Sequence, residues 1–261
     1  MEAARRQREI AELTRIEGFA SVERLAQRYG VSPQTIRRDI SLLCDRGVVR
    51  RLRGGAGMPA IPDETANIAY DARQVMNLHA KRRIAALVAE RIPDGASISI
   101  GIGTTPEQVA VALAQRRGLA VVTNNMNAAM VLCRNETNAV TIVGGRLRNR
   151  DRDVTGDPAV AVFATFRVDF AVFGVGGIDE EGGLLDFDGD EVRTRAAMAA
   201  NARSRLLVAD SSKFGRNAFV RGGNLAEMDA LYTDGPLPQA FAAMVAASGV
   251  DLNVAPAPET P

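Results

Sequence analysis

Gln34, Arg37, Arg38 and Ser41 recur at i, i+3, i+4 and i+7, so on a helix they share one face. That face is cationic and rich in hydrogen-bond donors. Arginine can grip guanine edges or phosphates, and glutamine can pair with adenine. Ile36, Ile40 and Leu43 fall on another side of the same helix and are expected to turn inward. Ser32 precedes Pro33, the order expected of an N-cap and a first helical position where a missing N–H costs nothing. Ser32 and Thr35 could then hold a phosphate near the helix start. A purely structural helix could carry the same residues as a solvated face, so the neighbouring elements decide between the two readings.

Those neighbours favour duplex DNA. A first helix is expected over 5–17, with Ile10, Leu13 and Ile16 as its apolar side and Gly18 as its end. Ser21 is placed to cap a second helix, whose stripe is Val22, Leu25, Ala26 and Tyr29, and Gly30 breaks it. Two short helices joined by a tight turn present the second one to a major groove. Gly47 ends that helix, and residues 48–56 read as a β-hairpin. Arg50, Arg51 and Arg53 on such a wing would neutralise phosphates or enter a minor groove. Ser21 joins these as a candidate DNA contact.

The charge distribution agrees. Residues 1–57 hold 12 Arg and no Lys against 7 Asp and Glu, a net +5 hidden inside a chain total of +1. A small basic head on a mildly acidic body suits a polyanionic partner. The 261 residues fit one small and one medium domain. No run of about 18 apolar residues exists, and the first residues lack an apolar stretch, so neither a membrane span nor a secretory signal is expected. Cys44 and Cys133 are expected as reduced thiols. A single histidine, His79, argues against a His-based zinc site or a Ser-His-Asp triad. Neither a cofactor nor a metal is expected.

After residue 75, short apolar runs alternate with helical stretches. Strands are expected over 96–100, 119–123, 140–143, 168–173, 205–209 and 230–233. Helices are expected over 76–91, 106–116, 127–134, 191–202 and 238–247. That alternation implies an α/β fold with a mostly parallel sheet, whose ligands bind outside the C-terminal strand ends. The loops there are polar or glycine-rich. Gly103, Thr104 and Thr105 open a helix after the first strand and suit an anion. Asn124 and Asn125, Arg148, Gly176 and Lys213 follow other strands. Only Lys81 and Lys213 among 32 cationic residues are lysines, so each suggests a compact ammonium. Lys213, beside Asp210, is the first candidate for a phosphate or sugar oxygen. Asp179 and Glu191, from an acidic cluster otherwise read as a solvated loop, are the candidates for a ligand's hydroxyls. Acid–base enzyme chemistry also remains open at that cluster, as in a sugar-phosphate isomerase with a fused DNA-binding head.

The run VSPQTIRRDISLL followed by GVVRRLRGGA resembles the signature of the DeoR family of bacterial repressors. IPDGASISIGIGTTPEQVA, VTNNMNAA, GGRLRNRD, GIDEEGGLLDFDGDEVRTRAA and DSSKFGRNAF extend the resemblance across about residues 5–250. It implies a winged helix-turn-helix over 1–57, a linker over 58–75, an effector-sensing and oligomerisation domain over 76–254, and a flexible tail over 255–261. The body would be similar in fold to ribose-5-phosphate isomerase and the CoA transferases. Within the family, the motifs most resemble the branch controlling glycerol-3-phosphate metabolism genes. The resemblance implies a cytoplasmic homo-oligomer, a dimer or tetramer, that binds double-stranded operator DNA. A phosphorylated metabolite, glycerol 3-phosphate or another phosphosugar, would release it. One departure stands out: Gly101 occupies a position that is usually acidic in the family, removing a partner for ligand hydroxyls.

Overall fold

The computed structural model describes residues 2–17, 19–45, 48–52, 54–57 and 70–256, with the backbone alone for 2–4, 15–17, 19, 45, 50–52, 57, 71 and 72. Gly18, Gly47, Arg53, part of the expected linker (58–69) and most of the expected tail (257–261) lie outside the described residues. The chain divides into two compact units, Met1–Ala66 and Asn67–Pro261.

The first unit runs α1 (Glu2–Glu17), β1 (Phe19–Ser21), α2 (Val22–Tyr29), α3 (Pro33–Asp45), β2 (Arg50–Leu52) and β3 (Gly55–Gly57). The Ser21 hydroxyl accepts the Arg24 N–H at 3.2 Å and starts α2. Gly30 ends it at φ 62°, returning its N–H to the carbonyls of Ala26 and Gln27. The expected apolar stripes meet in one core: Ile10 from α1, Val22 and Leu25 from α2, Ile36 and Ile40 from α3. The wing is the antiparallel pair β2–β3, turned at Gly54 with φ 83°. A third strand, β1, pairs with β3, where Ala20 and Ala56 face each other fully buried. Among the described residues, one charge is buried in this unit. Asp39 of α3 accepts from Arg6 Nε at 2.7 Å and Gln7 Nε2 at 2.8 Å, both on α1.

The second unit begins with α4 (Tyr70–Val75) and α5 (Leu78–Arg91). Then come β4 (Ser97–Ile100), α6 (Thr104–Ala112), β5 (Ala120–Thr123), α7 (Met126–Leu132) and β6 (Ala139–Ile142). A small hairpin, β7 (Leu147–Arg148) and β8 (Asp153–Val154), precedes α8 (Asp157–Ala164) and β9 (Val168–Phe173). A second hairpin follows, β10 (Gly177–Ile178) and β11 (Gly183–Asp186), and then α9 (Gly189–Ala200) and β12 (Ala202–Val208). The chain closes with β13 (Val220–Asn224), β14 (Ala230–Thr233), α10 (Gln239–Ser248) and β15 (Asp251–Val254).

Seven strands form one wholly parallel sheet in the order β15-β14-β12-β9-β4-β5-β6. Successive side chains alternate between its faces. Ile98, Val121, Val172 and Leu206 join one core cluster, while Val122, Ala171, Phe173 and Leu207 join the other. Both faces are therefore covered, which is why the C-terminal halves of β9 (Ala171-Val172-Phe173) and β12 (Leu206-Leu207-Val208) read as apolar runs. From β4 the chain moves outward to β5 and β6, then returns to the other side of β4 with β9. The direction reverses between β4 and β9, the place where the strand ends of a doubly wound sheet open a crevice.

Two boundaries differ from expectation. Residues 70–75, assigned to the linker, form α4, because Tyr70 is 2% exposed and hydrogen-bonded into the second unit. Ala255, assigned to the flexible tail, is 2% exposed and donates its N–H to Thr233 at 2.8 Å, continuing the β15 ladder.

Candidate functional site

On α3, Ser32, Gln34, Thr35, Arg37, Arg38 and Ser41 line one open concavity together with Leu42. The helical period that buries Ile36 and Ile40 turns these residues outward. Ser32 is the expected cap: its hydroxyl accepts the Thr35 N–H at 3.1 Å and lies 2.9 Å from Thr35 Oγ1. Ser41 Oγ donates to the Arg37 carbonyl at 2.7 Å, turning its hydroxyl back on the helix. Ser21 serves as the α2 cap. Arg50 and Arg51 lie on β2, and Arg53 lies outside the described residues.

In the second unit, the candidate effector residues sort by strand. Gly103, Thr104 and Thr105 follow β4, Asn124 and Asn125 follow β5, Gly176 follows β9, and Lys213 follows β12. These are four contiguous central strands around the switch point, so their C-terminal ends converge. Gly103 takes φ 113° as the N-cap of α6, and both threonines are buried behind it. Asn125 caps α7 through its side-chain oxygen, which accepts from Asn127 and Ala128. Asn124 donates to the Val154 carbonyl at 2.8 Å, while its buried Oδ1 has no partner among the described residues. The Gly176 N–H is held by Asp186 at 2.6 Å. A Cβ on Gly177 would meet the Arg216 carbonyl oxygen at 2.0 Å, so glycine there lets the Lys213 loop lie directly on the β9 loop.

Lys81, Lys213, Arg73 and Arg216 lie near one another at this end of the sheet, with Asp210 and Glu107 among them. Burial, reinforced by Arg216, Arg73 and Lys81, lowers the Lys213 pKa to about 8, against the pull of Asp210. Burial also lowers the pKa of Lys81, which is 4% exposed. Among the described residues no carboxylate lies within ion-pair distance of Lys213 Nζ.

The remaining candidates stand apart. Arg148 and Glu191 pair with each other at 2.7 Å, and Arg148 also bonds Asp153 at 2.7 Å and Asp188 at 2.9 Å. Burial raises the Glu191 pKa and Arg148 opposes it. This network borders Asn125, which bridges Asp153. Asp179 is taken up by its own turn. Its Oδ1 accepts from Glu181 N and Gly183 N, and Arg221 lies 3.2 Å from its Oδ2. Nothing in the sequence pattern singles out Tyr70, Arg73 or Arg216; Lys81 is marked by the scarcity of lysine but not assigned to the site. At Gly101, an added Cβ would meet Phe173 at 3.3 Å and the Met198 methyl at 3.4 Å.

A helix-turn-helix with a wing, followed by a doubly wound α/β body, defines a ligand-responsive DNA-binding regulator. The family models agree: a DeoR-like helix-turn-helix domain matches residues 6–61, and a DeoR C terminal sensor domain matches residues 76–235. The chain belongs to the DeoR family and is a transcriptional repressor of that type, a regulator and not an enzyme. It is 43% identical to the glycerol-3-phosphate regulon repressor of Escherichia coli (strain K12), over 91% of this chain and 93% of that protein. The Haemophilus influenzae protein of the same name is 42% identical over 92% of each chain. The HTH-type transcriptional repressor CsqR of Escherichia coli (strain K12) is 38% identical over 90% of this chain and 89% of that one. Among solved structures, ribose 5 phosphate isomerase A from Neisseria gonorrhoeae aligns with a TM-score of 0.37 at 18% identity, covering 54% of each chain. No helix among the described residues is long and apolar enough to cross a membrane.

Proposed function

We propose that the chain represses glycerol-3-phosphate metabolism genes, and that glycerol 3-phosphate binding at the Lys213 crevice releases the operator. The observation that carries this reading is Lys213 itself, a partly buried ammonium among other cations at the strand ends, without an ion-pair carboxylate among the described residues. Burial and the neighbouring cations disfavour its charge more than Asp210 supports it, so a bound anion would be favoured there. The names of the relatives favour glycerol 3-phosphate over other phosphorylated metabolites. The effector would bind one conformation better and shift the population, with a coupling of about 1–3 kcal/mol. A cytoplasmic homo-oligomer, a dimer or tetramer, would place paired heads on two operator half-sites.

Footprinting on DNA upstream of the chain's own gene tests this. Protection is expected without effector and is expected to fade with glycerol 3-phosphate but not with glycerol. A complex indifferent to every phosphorylated metabolite would overturn the reading. A thermal-shift panel identifies the effector, since only a ligand of the folded state stabilises it. Stabilisation by hexose phosphates alone would assign a different inducer.

Arg37→Ala is expected to weaken operator binding by about 1–3 kcal/mol while sparing non-operator DNA, as for an arginine that reads a base edge. Competition gel shifts on both DNAs measure this. Equal loss on both would reassign Arg37 to a phosphate.

A further inference from the structure

We infer that α4 and the first turn of α5 form a wall of the anion pocket, contributing Arg73 and Lys81, and that an anion beside Lys213 fastens α4 to the body. This rests on the anion-pocket reading above and adds a residue set and a consequence to it.

The segment 70–81 reaches several of the elements that leave the strand ends. Tyr70 Oη donates to the Glu107 carboxylate of α6 at 2.5 Å, and Asn127 of α7 donates to the same carboxylate at 3.1 Å. Gln74 holds the Tyr70 hydroxyl from within α4 at 2.9 Å. Arg73 pairs with Asp151 in the β7–β8 turn. Asn77 donates to Asp210 Oδ1 at 3.0 Å, three residues before Lys213, and does so from a left-handed φ of 52°. Lys81 Nζ reaches back to the Arg73 carbonyl, at the C-terminal turn of α4. The strand-end elements that enclose the crevice therefore also anchor this segment.

The charges give the coupling its sign. Docking α4 brings Arg73 close enough to Lys81, Lys213 and Arg216 to disfavour the charge on each of them. Asp210 and, at Lys81, Glu107 act against that repulsion, and Asp151 pairs with Arg73. An anion placed among the four cations adds attraction toward Arg73 of α4, so α4 docks more tightly when the anion is bound. Linkage is reciprocal: whatever loosens α4 must weaken the anion. In chain order α4 is the first described helix after the stretch that leads from the DNA-binding unit. Fastening it fixes the point at which that stretch leaves the body.

Amide hydrogen exchange on the full chain tests this, with and without saturating glycerol 3-phosphate and with inorganic phosphate as a second probe. Exchange over 70–77 is expected to slow by about tenfold, within the usual range for a coupled site. Exchange in β9 is expected to stay unchanged. Tyr70→Phe keeps the ring and removes the hydroxyl that holds Glu107. It is expected to speed α4 exchange and to weaken anion binding by about tenfold in calorimetry. A ligand that binds by calorimetry and leaves α4 exchange unchanged or faster would overturn the inference and spare the anion-pocket reading. So would wild-type affinity in Tyr70→Phe. Absence of binding by any phosphorylated probe would overturn both.

Discussion

Asp39→Ala is expected to abolish operator binding by unfolding the first unit while the second stays intact. The Asp39 side chain is 5% exposed and its partner Arg6 14% exposed. Removing one member of a buried, hydrogen-bonded pair costs about 3–5 kcal/mol, because the other charge is left without compensation. Gln7, itself 8% exposed, loses its acceptor at the same time. A domain of this size has only a few kcal/mol to lose. In the full chain, amides over 5–14 and 33–44 are expected to exchange as in an unfolded segment, with protection in the body unchanged. Replacing the pair together, Arg6→Leu with Asp39→Leu, is expected to recover much of that protection, since an apolar pair leaves no stranded charge. Loss of DNA binding with full protection in Asp39→Ala would instead make Asp39 a DNA contact, contrary to its burial.

Asp39 also marks where sequence reading stops. On α3 it looks like one more polar residue of an exposed face, and only the position of α1 reveals it as an internal anchor. Local patterns carried well where the period itself decides burial. Ile36 and Ile40 went inside, and Gln34, Arg37 and Arg38 outside, as the helical spacing requires. The C-terminal halves of β9 and β12 were visible as apolar runs, because a sheet covered on both faces buries successive side chains alike. Strand β1 was not visible, since Phe19-Ala20-Ser21 is too short to show a period and owes its conformation to pairing with β3. Helix α4 sits in a stretch whose composition reads as linker, and it is held by Tyr70 reaching Glu107, far away in sequence. Glu191 shows the same limit from the other side. Its place in an acidic cluster suggests ligand hydroxyls, and nothing local shows that a guanidinium from β7 pairs with it at 2.7 Å. Long-range pairing of charges is what a linear reading lacks.

Lys213→Ala is expected to leave operator binding intact and to remove most of the response to effector. Hydrogen bonds to charged groups are worth about 1.5–3 kcal/mol each, and a dianionic phosphate against a partly buried ammonium belongs at the upper end. The effector concentration for half-release of DNA should therefore rise by about 100-fold. Gel shifts titrated with glycerol 3-phosphate measure this; half-release unchanged from wild type would place Lys213 outside the site. The pH dependence offers a second, independent check. Burial and the neighbours Arg216, Arg73 and Lys81 bring the Lys213 pKa down to about 8, with Asp210 opposing them. A phosphomonoester becomes dianionic above about pH 6. Between these values both partners carry the charges that attract. Above pH 8 the free protein holds Lys213 neutral, so binding must take up a proton and affinity falls as pH rises. Below pH 6 the ligand loses its second charge and affinity falls in the other direction. Wild-type affinity is thus expected to peak near pH 7, and Lys213→Ala to lose the alkaline limb while keeping the acidic one. An alkaline limb that survives in Lys213→Ala would assign that titration to another group, with Lys81 the nearest alternative because burial lowers its pKa as well.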